Sequence, residues 1–288
     1  MKRVLVLHGV GSSAKIMKDQ IASLAGELGS DYEFIYLDGA VETERGPGIA
    51  PHYLGPFYSY TTGYTTAEIR DALDDLDQFV QENGPFNGVL GFSQGASIAA
   101  SYLLDYQIRY PWRQPPFEFA VLFSSVSAFS PDETCYESII ETLLSQEFPE
   151  TEFSRFSRSE RIFAEYLALT FTAANKIGLY TGPIDFFKHR NPDAIPRVLH
   201  PSLIQDRIKI PTVHVNGKED LPAMSAQSRL VCGFCDQSLA RVYHHSGGHI
   251  IPAKAADVKV LVKMVGWAGV EGASYSVLRQ ALARIPQR

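Results

Sequence analysis

The chain has 288 residues, 45% of them hydrophobic and 20% charged, an ordinary globular balance with enough length to bury a sizeable core. Its formal charge of −6 argues against nucleic acid as a main partner. No stretch approaches the ~20 apolar residues that would span a bilayer, so no membrane role is expected.

The chain opens on "MKRVLVLHGVG". Two basic residues precede an apolar run, Val4 to Leu7, that is far too short for a signal-peptide core and meets His8 and two glycines. Residues 3–7 therefore read as a buried first strand. Ser13 to Leu28 carries Ile21, Leu24 and Leu28 at helical spacing, and residues 33–37 form a second strand. Residues 38–64 read as a loop rich in glycine, proline and aromatics. A helix over 65–83 follows, with Ile69, Leu73, Leu76 and Val80 on one face and Thr65 or Thr66 as its cap.

Residues 87–92 are a strand and Gln94 to Asp105 a helix of small residues. Strands are also expected at 117–125, 210–217 and 239–245, before a closing helix at 254–269. Repeated strand–helix alternation implies a mostly parallel, doubly wound α/β sheet in one domain over residues 1–288. Residues 126–209 break the rhythm with the helical patches "CYESIIETLLSQEF" and "SERIFAEYLALTF" and then Pro183, Pro192, Pro196 and Pro201. An insertion of this length between core strands reads as a helical cap or lid.

Three cysteines, Cys135, Cys232 and Cys235, suggest a reducing, cytoplasmic setting rather than a disulfide framework. "CGFC" at 232–235 has metal or redox spacing but no second ligand pair, so these read as structural cysteines, with no metal or cofactor expected.

The stretch "GFSQGAS" (91–97) places Ser93 between two glycines, after a strand and before a helix. That is the pattern of a strand-to-helix elbow that exposes a nucleophile, with small Ala96 and Ala99 letting the helix pack closely. Helix N-terminal amides favour negative charge beside Ser93. The glycine-flanked exit "LHGVG" (7–11) supplies a second donor, so the backbone N–H groups of Val10 and Gln94 are the candidate oxyanion hole.

A serine hydroxyl needs a histidine to take its proton, and the histidine needs an acid to fix its tautomer. His249 follows the last strand in the glycine loop "HHSGGHIIP". Glu219 and Asp220 both stand just past a buried strand, and Asp220, beside Leu221-Pro222, is the stronger choice. The order Ser93, Asp220, His249 fits an elbow-type hydrolase. His8 reads as packing beside the nucleophile and His214 as a core histidine, while of His244 and His245 one should face the sheet and the other solvent.

With "LHGVG", "GFSQGA", "GKED" and "HSGGHIIP" in this order, the chain resembles the fungal serine hydrolases of the α/β-hydrolase fold over roughly Lys2 to Gly269. "FIYLDGA…GPGI" and "PFYSYTTGY" are similar to stand-alone thioesterases that release acyl chains from fungal polyketide synthases, although Ala40 stands where that branch often has proline. The resemblance implies the same triad, a serine-hydrolase activity and an acyl thioester substrate, carried by an acyl carrier protein of a polyketide synthase. A carboxylesterase or lactonase for small esters is the alternative, and a catalytically silent scaffold a more distant one.

The loop 53–64 carries Tyr53, Phe57, Tyr58, Tyr60 and Tyr64, aromatics suited to wall an apolar acyl pocket or to cover the sheet edge. Arg155, Arg158 and Arg161 read as a solvated helical face, with a phosphopantetheine arm or an acidic carrier as the functional alternative.

Overall fold

The computed structural model describes residues 1–145 and 155–283. The end of the first helical patch of the insertion, residues 146–148, lies outside the described residues, as do 284–288 at the C-terminus. In chain order the first half contains β1 (Lys2–Leu7), α1 (Ala14–Gln20), α2 (Ala22–Leu28), β2 (Tyr32–Leu37), β3 (Val41–Thr43), β4 (Phe57–Ser59), α3 (Thr66–Asn83), β5 (Gly88–Phe92) and α4 (Gln94–Arg109). The second half contains β6 (Phe119–Phe123), α5 (Glu137–Ser145), α6 (Arg158–Lys176), β7 (Thr212–Gly217), α7 (Pro222–Cys232), β8 (Ala240–His245) and α8 (Ala255–Ala283).

Six strands form one sheet in the order β2-β1-β5-β6-β7-β8, and every pairing is parallel. The expected strands and the doubly wound arrangement are all present. β5, β6 and β7 are buried along their whole length, which is why they appear in the sequence as unbroken apolar runs. Strand alternation divides β1 between two layers. Leu5 and Leu7 face a core shared with Leu73, Leu76, Ala99 and Leu103 of α3 and α4. Val4 and Val6 face Met17, Leu24, Leu261 and Val265 of α1, α2 and α8. From β1 the chain first adds β2 on one side, then crosses back to β5 on the other. A topological switch point therefore opens at the C-terminal ends of β1 and β5, where ligands of such sheets bind.

The helix ends follow local chemistry. Thr65 caps α3 in a capping box, its backbone N–H donating to Glu68 Oε2 at 3.0 Å while Oγ1 accepts the Glu68 N–H. Ser157 and Glu160 repeat the device at α6.

Three features depart from the sequence expectations. The helix over 13–28 is two, separated at Ile21. The loop 38–64 contains the antiparallel hairpin β3–β4, whose three residue pairs are too short to leave a period in the sequence. The closing helix continues past 269 to Ala283 and packs across the N-terminal edge of the sheet. There Lys2 Nζ donates to Gly269 O at 2.7 Å and Arg279 Nη2 donates to Lys209 O at 2.8 Å.

Within the insertion, Phe163, Tyr166 and Phe171 of α6 and Ile140 and Leu143 of α5 join the same apolar cluster as Leu5 and Leu7. Its root is pinned at Ser127, whose N–H donates to Gln227 Oε1 at 2.9 Å and whose Oγ meets Tyr166 Oη and Thr170 Oγ1 at 2.8 Å each. Cys235 is buried, and burial pushes its thiol up to about 12. Among the described residues, no group of three or more His, Cys, Asp and Glu side chains could hold a metal ion, and no helix is long and apolar enough to cross a membrane.

Two glycines give opposite expectations. Gly95 lies against β1 so closely that a Cβ would fall 2.5 Å from Leu7 O, whereas at Gly26, exposed in α2, a Cβ would meet nothing within 4 Å. Gly26→Ala should raise Tm by ~1–3 °C through helix propensity, and Gly95→Ala should lower it by ~3 °C or more through overpacking. Thermal unfolding followed by circular dichroism checks both, and an undiminished Tm for Gly95→Ala would contradict the packing.

Candidate active site

The elbow is built by the meeting of β5 and α4. Ser93, the single residue between them, has φ +53 and ψ −114, a conformation that costs a non-glycine residue about 1–3 kcal/mol. Its N–H donates to Phe123 O at 2.9 Å, which binds the turn to the end of β6. The flanking glycines are required by space. A Cβ at Gly91 would fall 2.5 Å from Ala96 N, and one at Gly95 would strike β1 as above. Ser93 is 5% exposed.

His249 and Asp220 converge on it. Ser93 Oγ lies 2.9 Å from His249 Nε2, and His249 Nδ1 lies 2.8 Å from Asp220 Oδ2. Because a carboxylate only accepts, Nδ1 carries the imidazole proton, and the Nε2 lone pair faces the serine O–H. The other carboxylate oxygen accepts the Leu221 N–H at 2.7 Å. The Asp220 side chain is 2% exposed and that of His249 31%, so the acid lies deep and the base reaches the mouth.

The loops carrying these two residues are stitched together. Lys218 N–H donates to His245 O at 2.9 Å and Glu219 N–H to Gly247 O at 3.0 Å. Gly217 passes so near the histidine loop that a Cβ there would fall 2.1 Å from Gly248 O. Of the two neighbouring carboxylates, Asp220, the one the sequence favours, meets His249, while Glu219 is exposed. The remaining histidines do not reach Ser93. His214 is buried beside Thr212 Oγ1 at 3.2 Å, and burial holds it down to about 4. His244 is exposed, whereas His245 is buried with Nδ1 accepting the Gly247 N–H at 3.1 Å, the division expected of that pair. His8 is wholly buried in the β1 exit.

The two candidate oxyanion donors border the serine. Gln94 is the first residue of α4, where backbone N–H groups have no helical partner. The loop before Val10 runs alongside, since a Cβ at Gly9 would lie 3.5 Å from Ser93 Cβ.

The aromatic loop is distributed differently from the expectation of a pocket wall. Tyr53 Oη donates to Asp19 Oδ2 at 3.0 Å, and Phe57 lies 5.4 Å beneath the Arg45 guanidinium. Tyr58 pairs its backbone with Gly11 and Ser12. Tyr60 is buried with its hydroxyl bonded to backbone on both sides, so it braces the scaffold. Tyr64 is the member of the run that meets the aromatics of the insertion. Its ring meets Phe129 at 4.9 Å and Phe171 at 5.5 Å, and Phe171 in turn meets Tyr180 and Phe186 at 4.7 Å each. The insertion thus contributes four aromatics that sequence spacing did not single out. Arg155 and Arg158 are exposed and Arg161 half-buried, at and just before the start of α6.

A family model described as "Serine hydrolase (FSH1)" matches residues 1–261. The chain is 40% identical over 276 residues to Esterase alnB of Emericella nidulans, covering 93% of this chain and 96% of that one. It is 30% identical over 234 residues to Serine hydrolase cnsH of Penicillium expansum, covering 79% and 96%. Among solved structures, a Bacillus cereus carboxylesterase is similar at 14% identity and a TM-score of 0.49, covering 93% of this chain and 88% of that one. With its sheet, elbow and motifs in the order described, the chain is an α/β-hydrolase enzyme that belongs to the FSH1 serine hydrolase family.

Proposed function

We propose that the enzyme hydrolyses acyl thioesters through an acyl-Ser93 intermediate, releasing a polyketide or fatty acyl chain from a carrier protein. The observation that carries the hydrolytic chemistry is the continuous line from Ser93 Oγ through His249 to Asp220. As Ser93 Oγ attacks the acyl carbon, its proton passes to His249 Nε2, and Asp220 stabilises the imidazolium. The carbonyl oxygen becomes an oxyanion held by the N–H groups of Val10 and Gln94. The tetrahedral intermediate collapses, His249 returns the proton to the departing sulfur, and the acyl group remains on Ser93. Water then repeats the sequence, with His249 as base, to free the carboxylic acid and restore the hydroxyl.

Two observations support the thioester reading. The leaving group must depart past His249 Nε2, the part-exposed member of the triad; Ile250, next to His249, and Leu221, next to Asp220, are also exposed. A pantetheine arm, or the carrier behind it, can therefore stay in solvent. The acyl chain has an apolar surface to meet on the Tyr64 side, where the aromatics of the insertion gather. A small-ester carboxylesterase is the second reading, favoured by relatives named as esterases, such as Esterase alnB.

Matched acyl-cysteamine thioesters and p-nitrophenyl esters of roughly two to ten carbons separate the readings, since burial contributes about 0.8 kcal/mol per methylene. On the thioesterase reading, kcat/KM climbs with chain length in the thioester series until the pocket fills. Short esters as the best substrates, with thioesters ignored, would establish the second reading instead. The acid is tested separately. Asp220→Asn should keep the fold but lower kcat on the order of 10⁴-fold, because the imidazole then takes the wrong tautomer. Glu219→Gln should stay near wild type, and the reverse ranking in a steady-state assay would move the role to Glu219.

A further inference from the structure

Behind the Gly9–Val10 peptide lies a wholly buried side chain, His8. Gly9 C=O and Val10 N–H belong to one planar trans peptide unit, so they point in opposite directions. Gly9 O lies 2.7 Å from His8 Nδ1. On the far side of the same ring, the Gly39 N–H donates to His8 Nε2 at 3.0 Å. A backbone N–H can only donate, so Nε2 is the acceptor and Nδ1 carries the proton that Gly9 O receives. Burial lowers the pKa of His8 and so favours this neutral form, against the opposing pull of the Asp38 carboxylate 4.0 Å from Nε2.

The ring is itself held. The Tyr60 ring packs against it, tilted by 32° with centroids 4.7 Å apart, and the Tyr60 hydroxyl accepts the His8 N–H while donating to Leu37 O, both at 2.9 Å. Beyond Val10 the chain is fixed again. Gly11 N–H donates to Tyr58 O at 2.9 Å, Gly46 N–H to Gly11 O at 2.9 Å and Tyr58 N–H to Ser12 O at 2.7 Å. The hairpin β3–β4 and the segment after it thus grip both sides of the Gly9–Val10 peptide. Gln94 ties in the second donor, its Oε1 accepting the Tyr60 N–H at 3.2 Å and its Nε2 donating to Ser59 Oγ at 2.9 Å.

We infer that His8 and Tyr60 are positioning residues for the reaction: His8, braced by Tyr60, holds the Gly9–Val10 peptide with its N–H turned toward the oxyanion. This rests on the reading of Ser93 as nucleophile. Without the His8 donor, the peptide can turn its carbonyl toward the site, and transition-state stabilisation falls while substrate binding persists.

The test compares His8→Phe, which keeps a ring against Tyr60 but has no nitrogen, with Tyr60→Phe, which removes one hydroxyl. Steady-state kinetics are run beside inhibition by an aryl trifluoromethyl ketone, which forms a tetrahedral adduct on a nucleophilic serine, and Tm is recorded for each protein. Losing the aim of one oxyanion donor should lower kcat by about 10²-fold in His8→Phe and about tenfold in Tyr60→Phe, with KM within about threefold. Affinity for the ketone should fall by the same factor as kcat in each variant. If His8→Phe fails to fold, Tyr60→Phe decides. A folded variant with kcat and ketone affinity within about twofold of wild type, or with the whole loss in KM, overturns the inference. A ketone that fails to inhibit the wild type, or that binds Ser93→Ala equally well, overturns the Ser93 reading and the inference with it.

Discussion

The positive φ of Ser93 is imposed by what surrounds it. β5 and α4 are both buried against β1, and the one residue between them must reverse direction with no room on either side. That strain of about 1–3 kcal/mol is sustained by packing on every side, through the Ala96 and Ala99 contacts with the sheet and the Ser93 N–H bond to Phe123 O. The serine cannot relax back into the strand or forward into the helix. Its Oγ is left at the sheet's C-terminal edge, beside the first turn of α4.

Around that point, the ends of β1, β7 and β8 deliver one component each. The β1 exit runs beside Ser93, the β7 exit carries Asp220, and the β8 exit carries His249. Backbone hydrogen bonds between neighbouring loops, rather than the strands alone, set their spacing: Lys218 and Glu219 bind the histidine loop, and Tyr58 binds the β1 exit. Catalysis by preorganisation requires donors that do not reorient as charge develops, and loops tied to one another on both edges meet that requirement.

The parts of this arrangement that are readable from sequence are those in which one local pattern dictates one structure. The central strands β5, β6 and β7 are buried on both faces, so their apolar runs stand out. Gly91 and Gly95 announce the elbow because no other residue fits there. Asp220 and Glu219 are adjacent in the chain; the sequence favours Asp220 because it stands beside Leu221-Pro222, and in the fold Asp220 turns inward to His249 while Glu219 faces outward. The hairpin β3–β4 stayed hidden because its pairing joins segments 13 or more residues apart through three residues each. Tyr60 shows the limit most clearly. An aromatic in a glycine-rich loop suggests a pocket wall, but its hydroxyl bridges Leu37 and His8, residues that come together only when β1 and β2 pair. The aromatic group of Tyr64, Phe129, Phe171 and Phe186 is likewise assembled from three distant stretches.

Ser93 as the acylated residue is the point on which the chemistry turns, and a fluorophosphonate probe followed by peptide mass spectrometry measures it most directly. The expected result is one adduct on the peptide containing Ser93, lost in Ser93→Ala and formed far more slowly in His249→Ala. An adduct on a different residue, or none on the folded wild-type protein, would contradict the assignment.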